Sequence, residues 1–280
     1  SPAFVGKSWT SHRAGITELL FSSEIVGGKP KGIGLSQWRV NLGGGSAAQG
    51  EACGIEDKSR RAESYLTDDL TYDWTRCEGQ RYFMDRAKEL GCNNFVLFSN
   101  TPPVQYTYNG KGFSARGGLS NLKPEHYGDF AGYMADVAAR YTGEGYHISH
   151  ISPVNEPQYN WDSGQEGSGW TNDEVAALAR ELDMSLDARG LSTDILLGES
   201  GDWEYLYKVK GDANRSNVLS AFFTPGSSAY VGDLAHVKNL ICGHSYWTDG
   251  TWDGMRNVRK QVAQAGGQYN LVVWQSEWSM

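Results

Sequence analysis

Short apolar runs alternate with amphipathic stretches along most of this chain, and that alternation limits the folds open to it. The runs are 33–41 (IGLSQWRVN), 94–100 (NFVLFSN), 148–154 (ISHISPV), 194–199 (DILLGE), 240–246 (LICGHSY) and 271–277 (LVVWQSE). Their length and their Val, Ile, Leu and Phe content predict buried strands. Between them the apolar period becomes helical. Pro124 opens a helix whose face carries Tyr127, Phe130, Met134 and Val137, with Gly143 just past its end. Thr171 or Asn172 caps a second, built on Val175, Leu178, Leu182 and Leu186 and closed by Gly190. Met255, Val258 and Val262 mark a third that ends near Gly266, and 80–90 and 16–21 read as shorter helices.

Strands separated by helices pair in parallel. At 280 residues that leaves a (β/α)8 TIM barrel or an open doubly wound sheet. No GxGxxG follows the first strand, which weighs against a dinucleotide-binding sheet. Polar and aromatic residues crowd directly behind the strands, in WRVNLGGGSAAQG, SNTPP, NEPQYNW, GESGDW, HSYW and SEWSM. Barrels place their chemistry at those carboxyl ends, so the α/β barrel is the expected fold. Only six strands are evident, with a helix first and a strand last. The barrel is therefore expected to lack most of strand 1 and all of strand 8. Residues 1–280 are read as one catalytic domain, a fragment of a longer chain that should be unstable or inactive in isolation.

Composition removes whole classes of function. No apolar run approaches the ~20 residues that span a bilayer, so no membrane is expected as partner. Asp plus Glu outnumber Lys plus Arg by 33 to 25, a net charge of −8, and no basic cluster exceeds Arg60/Arg61 and Arg259/Lys260. A phosphate backbone needs a positive field, so nucleic acid is excluded too. Thirty-five Gly and 12% aromatic residues suit a neutral, hydroxyl-rich ligand that stacks on rings. The opening SPAFVGKSWTSHRAG carries no charged-then-apolar leader, so any leader has been removed or never existed. Among the four cysteines a Cys53–Cys77 disulfide is expected, because both lie in one polar, irregular segment. Cys92 and Cys242 flank apolar runs and read as buried thiols. The one sequon, Asn214-Arg215-Ser216, decides nothing.

Two carboxylates carry the functional argument. Glu156 follows the third apolar run in ISPVNEPQ, and Glu277 ends the sixth in VVWQSEWSM. With one strand restored at the front they become the fourth and seventh of a barrel, on roughly opposite sides of the ring. Hydrolysis of a glycosidic bond needs such a pair, one carboxyl protonated to serve the departing oxygen and one ionised to attack. Asn41 and Asn100 end the first two strands and are candidates for hydroxyl recognition. Trp161, Trp170, Trp203, Trp247 and Trp278 lie in post-strand loops where rings can stack on sugar faces. Gly43–Gly45 is not followed by GKS or GKT, so it reads as a tight turn that lets backbone approach a sugar. His147 and His150 are the only close histidine pair, with opposite-face spacing, so no metal and no cofactor is expected.

Taken in order, GLSQWRVNLGGGSAAQG, FSNTPP, ISPVNEPQYNW, GHSYW and VVWQSEWSM resemble the retaining glycosidases of clan A, specifically glycoside hydrolase family 30. The resemblance covers nearly the whole chain. It implies a retaining mechanism on a (β/α)8 barrel, with Glu156 as general acid/base and Glu277 as nucleophile. It also implies that Asn155 binds the sugar 2-hydroxyl, that Arg39 orients the nucleophile, and that His244 and Tyr246 form the H-x-Y pair with Tyr246 near Glu277. An always-ionised arginine would keep that carboxylate charged. Where relatives commonly place a Trp after FSNTPP this chain has VQYT, so Gln105 or Tyr106 is expected there. The family normally adds a β-sandwich, which this chain would lack.

Within the family the loops are closest in style to endo-β-1,6-galactanases acting on arabinogalactan side chains, with β-1,6-glucan and glucuronoxylan as alternatives. The implied protein is a secreted monomer whose partner is an oligo- or polysaccharide. A non-catalytic carbohydrate-binding protein is the competing class, against which the presence of both carboxylates argues. A metal-dependent hydrolase is a third.

Overall fold

The computed structural model describes residues 1–279. The chain begins with α1 (Pro2–Ser8), α2 (Arg13–Phe21) and a small antiparallel hairpin, β1 (Ile25–Val26) and β2 (Lys29–Pro30). Six strands then follow: β3 (Gln37–Asn41), β4 (Asn94–Phe98), β5 (Ile148–Ser152), β6 (Asp194–Ser200), β7 (Val237–His244) and β8 (Val272–Glu277). They pair in parallel and in chain order, β3-β4-β5-β6-β7-β8. The connecting helices are α3 (Glu78–Glu89), α4 (Tyr127–Gly143), α5 (Asn172–Ala188), α6 (Glu204–Tyr207), α7 (Val218–Phe223) and α8 (Trp252–Gln268).

Each expected strand and helix forms where its apolar period placed it. The helix starts have local causes. Pro124 leads a 3₁₀ turn into α4, and Thr171 caps α5 through a reciprocal capping box with Glu174. Thr251 accepts from the Gly254 amide at the start of α8. The hairpin and the short helices α1, α6 and α7 went unread, because elements of two to seven residues are too short to show a period.

Strand alternation sorts the core onto two faces. Phe95, Leu97, Ile151, Ile195 and Ile241 face outward and pack with Phe130, Met134 and Val137 of α4 and Leu178 and Leu182 of α5 in the main core. Val96, Leu196 and Cys242 face the other way, with Leu240 and Trp274 against them. The two outer strands depart from the sequence expectation of full burial. Val272 of β8 is 58% exposed, and β3 is buried only at Val40. Both are edges, covered on one side only.

The sheet curls into a half-barrel. Side-chain contacts show how strongly. A flat sheet of six strands would hold its edges roughly 24 Å apart, at about 4.8 Å per step. Yet Arg39 of β3 hydrogen-bonds Glu277 of β8, and His150 of β5 packs 5.2 Å from Trp274, three strands away. Only curvature brings those inward-facing groups together. The carboxyl ends of six strands thus converge on one mouth.

The expected Cys53–Cys77 disulfide does not form. All four cysteines are free and buried. Cys53 Sγ sits 3.7 Å from the Ile55 carbonyl and Cys77 Sγ 3.7 Å from that of Glu63, each in its own surroundings. Burial pushes the Cys77 thiol up to about 12, so it stays an unreactive thiol. The segment is fixed instead by side chains such as Arg61, which bonds Ile55 and Glu51.

Candidate active site

Glu156 and Glu277 meet at the mouth. One oxygen of each, together with a ring nitrogen of His244, lies within 4.8 Å of the others. Glu277 ends β8, while Glu156 follows β5 after a short extension and adopts φ +43°. Positive φ is costly for a residue with a Cβ, and such outliers gather at functional sites. The Glu156 amide is tied to the Glu199 carbonyl at 2.9 Å, which fixes the turn to the neighbouring strand end.

Charged partners fix both carboxyls. Arg39 Nη1 donates to Glu277 Oε2, while Nη2 donates to Asn155 Oδ1 at 2.8 Å and Glu199 Oε2 at 2.9 Å. Its guanidinium lies 3.7 Å over the Phe98 ring, which closes its other face to water. Tyr246 donates its hydroxyl to Glu277 Oε1 at 3.0 Å. His244 is fully buried and bridges two acids, with Nδ1 3.0 Å from Glu156 Oε1 and Nε2 2.8 Å from Glu199 Oε2. Burial pushes its imidazole toward the neutral form. The hydrogen bonds to Glu156 and Glu199 outweigh that and raise it to about 9, so it is an imidazolium at neutral pH.

The same grouping of Glu156, His244 and Glu277 is compact enough to surround a cation. It is not suited to one. Both imidazole nitrogens already serve carboxylates, and Arg39 already supplies a positive charge to Glu277.

Glu199 is the participant that sequence reading missed. It lies near the end of β6, is fully buried, and has φ +46°. Burial alone would raise its carboxyl, but Arg39 and His244 overcome that and hold it at about 2. Ser276 Oγ adds a third donor to the same oxygen at 2.9 Å. A signal did exist: 194–199 is an apolar run ending in Glu, the same strand-end placement that marks Glu277.

The other expected residues divide. Asn41 and Asn100 line a cavity of about 340 Å³ beside Glu166, and Asn41 Oδ1 is buried with no protein partner, an acceptor open to a ligand hydroxyl. Trp161 donates its Nε1 to the Glu156 carbonyl at 3.1 Å, and with Trp247 and Tyr159 it lines a cavity of about 740 Å³ that includes Glu156. Trp247 is 71% exposed. Trp278 bonds Asp249 at 2.8 Å and lines the space beside Glu277.

Trp203 and Trp170 do not reach the mouth. Trp203 is buried in the core with Nε1 on Ser245 Oγ at 2.8 Å, and Trp170 is buried outright. Their size and apolar area are used for packing. Gln105 bonds Asp68 and Tyr106 stacks on His126, so neither takes the place expected after FSNTPP.

The glycine turn also has another cause. A Cβ on Gly43 would stand 2.4 Å from the Glu63 carbonyl oxygen, and one on Gly44 2.5 Å from Thr101 Cγ2. The turn admits protein rather than sugar. It wraps the buried Glu166, which accepts from the Gly44 and Ser46 amides and from Ser46 Oγ. That pins the loop after β3 to the loop after β5.

Known proteins resemble this chain to different extents. A crystal structure of a conserved exported protein from Bacteroides fragilis is 32% identical and superposes with a TM-score of 0.93 over 99% of this chain and 58% of its own. The catalytic domain of a xylanase from Talaromyces cellulolyticus, at 18% identity and TM-score 0.61, covers 99% of this chain and 55% of its own, and shares the fold. An endo-β-1,6-galactanase from Hypocrea rufa is 28% identical over 139 residues, 48% of this chain and 29% of that protein. The chain thus spans only part of the relatives it matches. No helix among the described residues is long and apolar enough to cross a membrane. The family model described as O-glycosyl hydrolase family 30 matches residues 1–280. The chain belongs to glycoside hydrolase family 30.

Proposed function

We propose that this protein is a retaining glycoside hydrolase that cleaves β-linked polysaccharide by double displacement, on a (β/α)8 barrel of which these strands are six. The observation that carries the proposal is the approach of Glu156 and Glu277 oxygens to within 4.8 Å. Retaining enzymes hold their carboxyl groups about 5–5.5 Å apart, too close for an attacking water between them.

In the first step a Glu277 oxygen bonds to the anomeric carbon as the glycosidic C–O bond breaks. The bonding pair leaves on the aglycone oxygen, which takes the proton of Glu156. In the second, Glu156 removes a proton from water, the water oxygen bonds to the anomeric carbon, and Glu277 departs as carboxylate. Arg39 and Tyr246 hold the nucleophile between them, and Asn155, fixed by Arg39, is read as the 2-hydroxyl ligand. The space lined by Trp247, Tyr159 and Trp161 adjoins Glu156, which makes it the leaving-group side. Asn41, Asn100 and Trp278 lie toward Glu277 and serve the other side.

The substrate we favour is β-1,6-galactan of arabinogalactan side chains, supported by the likeness to the Hypocrea rufa galactanase over about half of the chain. The protein is read as a secreted monomer. Hydrolysis of matched β-1,6-galacto- and gluco-oligosaccharides and glucuronoxylan, with NMR of the first anomer released, tests both parts. Release of the β-anomer from the galacto series is expected, with Glu277→Gln at least about 10⁴-fold slower. An inverted product, or equal rates for the variant, would discard the mechanism. Faster cleavage of another polymer would discard the substrate.

A further inference from the structure

Glu199 lies among groups that touch the two reacting carboxyls, yet it touches neither itself. Its Oε2 receives Arg39 Nη2 at 2.9 Å, His244 Nε2 at 2.8 Å and Ser276 Oγ at 2.9 Å. The free end of each cation then points outward: Arg39 Nη1 to Glu277, His244 Nδ1 to Glu156. Five ionisable groups from five segments thus form one chain, Glu277–Arg39–Glu199–His244–Glu156. Cys242 and Ser152 complete the wall around Glu199 and carry no charge.

Counting charge along that chain gives the inference, which rests on the double-displacement reading above. Double displacement starts with Glu277 ionised and a proton on Glu156, so with Glu199 negative and Arg39 and His244 positive the sum is zero. In the glycosyl-enzyme Glu277 is a neutral ester and Glu156 has given up its proton. The sum is again zero. One negative charge has moved from the Arg39 end to the His244 end, and each cation faces a reacting carboxylate in only one of the two states. The constant counter-charge between them is Glu199. Without it two buried cations would face a single reacting charge in both states, with little water to screen them.

We propose that Glu199 is a positioning residue for both halves of the reaction, the fixed counter-ion that holds Arg39 against Glu277 and His244 against Glu156. An ordinary structural ion pair would involve one cation and would leave the leaving-group dependence of the rate untouched. This one acts on both reacting ends.

The test uses Glu199→Gln, which keeps shape and removes charge, and Glu199→Asp, which keeps charge and shortens the reach. Folded, competent enzyme is counted first by covalent labelling with a 2-deoxy-2-fluoro glycoside, and peptide mass spectrometry locates the label. A wild-type label on Glu277 upholds the double-displacement reading whatever Glu199 does, and a label elsewhere sinks that reading separately. Per labelled site, Glu199→Gln is expected to lower kcat on an activated aryl glycoside by about 10²-fold, the scale of losing one fixed electrostatic group. A further loss of about tenfold is expected on a poor leaving group, because Glu156 is affected too. KM should change little, and the alkaline limb of the pH–rate profile should move to lower pH as His244 loses an acceptor. Glu199→Asp should recover the alkaline limb and part of kcat. Wild-type kcat per labelled site in Glu199→Gln would overturn the proposal. If that variant does not fold, an alkaline limb in Glu199→Asp displaced as far as in His244→Asn would overturn it as well.

Discussion

The two ends of the charged network are built differently. On β6 and β7 the side chains of Glu199 and His244 are shut off from solvent, whereas on β3 and β8 Arg39 keeps 17% and Glu277 35% of its side-chain exposure. The dry half lies between paired strands, and the wetter half on the two sheet edges. A buried ion costs several kcal/mol to desolvate unless its partners are exact in position, so the dry half has essentially one arrangement. The edge half leaves Glu277 open to the mouth. Burial is concentrated around the partners of Glu156 and access around Glu277, which the proposed mechanism uses as proton donor and attacking carboxylate.

Changing Glu156, the proposed donor, should produce the largest break in that division. Glu156→Ala is expected to slow substrates with poor leaving groups by roughly 10²–10⁴-fold while sparing activated aryl glycosides. A uniform loss across a leaving-group series would remove Glu156 from the donor role. Next in size is the cross-sheet link. Arg39→Met leaves Glu277 without its cation and Glu199 with His244 alone, and should cost about 3–5 kcal/mol in urea unfolding, the scale for breaking a buried pair. The exposed pair Lys7–Glu63, with 55% and 25% of its side chains open, is the control. Lys7→Met should cost about 1 kcal/mol or less. Comparable losses would show that the network is no better fixed than the surface.

A third experiment addresses the dry half through pH. The folded value of His244, about 9, lies above its ordinary 6.5. Its contribution is therefore fully present below 6.5 and lost as pH rises through about 9. For Glu199 the sign reverses, with stability present above 4.5 and lost as pH falls through about 2. Thermal melts from about pH 6 to about pH 10 should show the gap between the native protein and His244→Asn narrowing with pH. A gap that is flat or widens would mean that the imidazole is not charged in the fold. The smallest effect belongs to the exposed rim beside Glu156. Trp247→Ala should leave the melting temperature unchanged and raise KM by about three- to tenfold, the scale of one stacking contact. An unchanged KM would take Trp247 out of the binding surface.

Trp203 shows why sequence placement alone is insufficient at this rim. It follows its strand in GESGDW much as Trp247 follows HSY, yet one ring is packed beneath the mouth and the other stands in solvent. The distinction comes from a turn: the Asp202–Ser245 bridge and the bond from Trp203 to Ser245 draw that indole inward. Similarly, the cysteine segment looked in need of a bridge only because part of its anchoring is distant in sequence, such as the hydrogen bond between the Ser64 and Tyr133 hydroxyls.

What the sequence determined by itself is local. Alternation fixed six strands and the helices between them, capping residues fixed helix starts, and position at a strand end singled out Glu156 and Glu277. These properties depend on neighbours within a few residues, so they are written in the order of the chain. The curl of the sheet decided the rest. It brought Arg39 to Glu277 across 238 positions, put Glu199 between two cations, and divided the tryptophans between core and rim. Such contacts depend on the curvature summed over five strand pairings, three of which carry register shifts. No single stretch of chain encodes that sum.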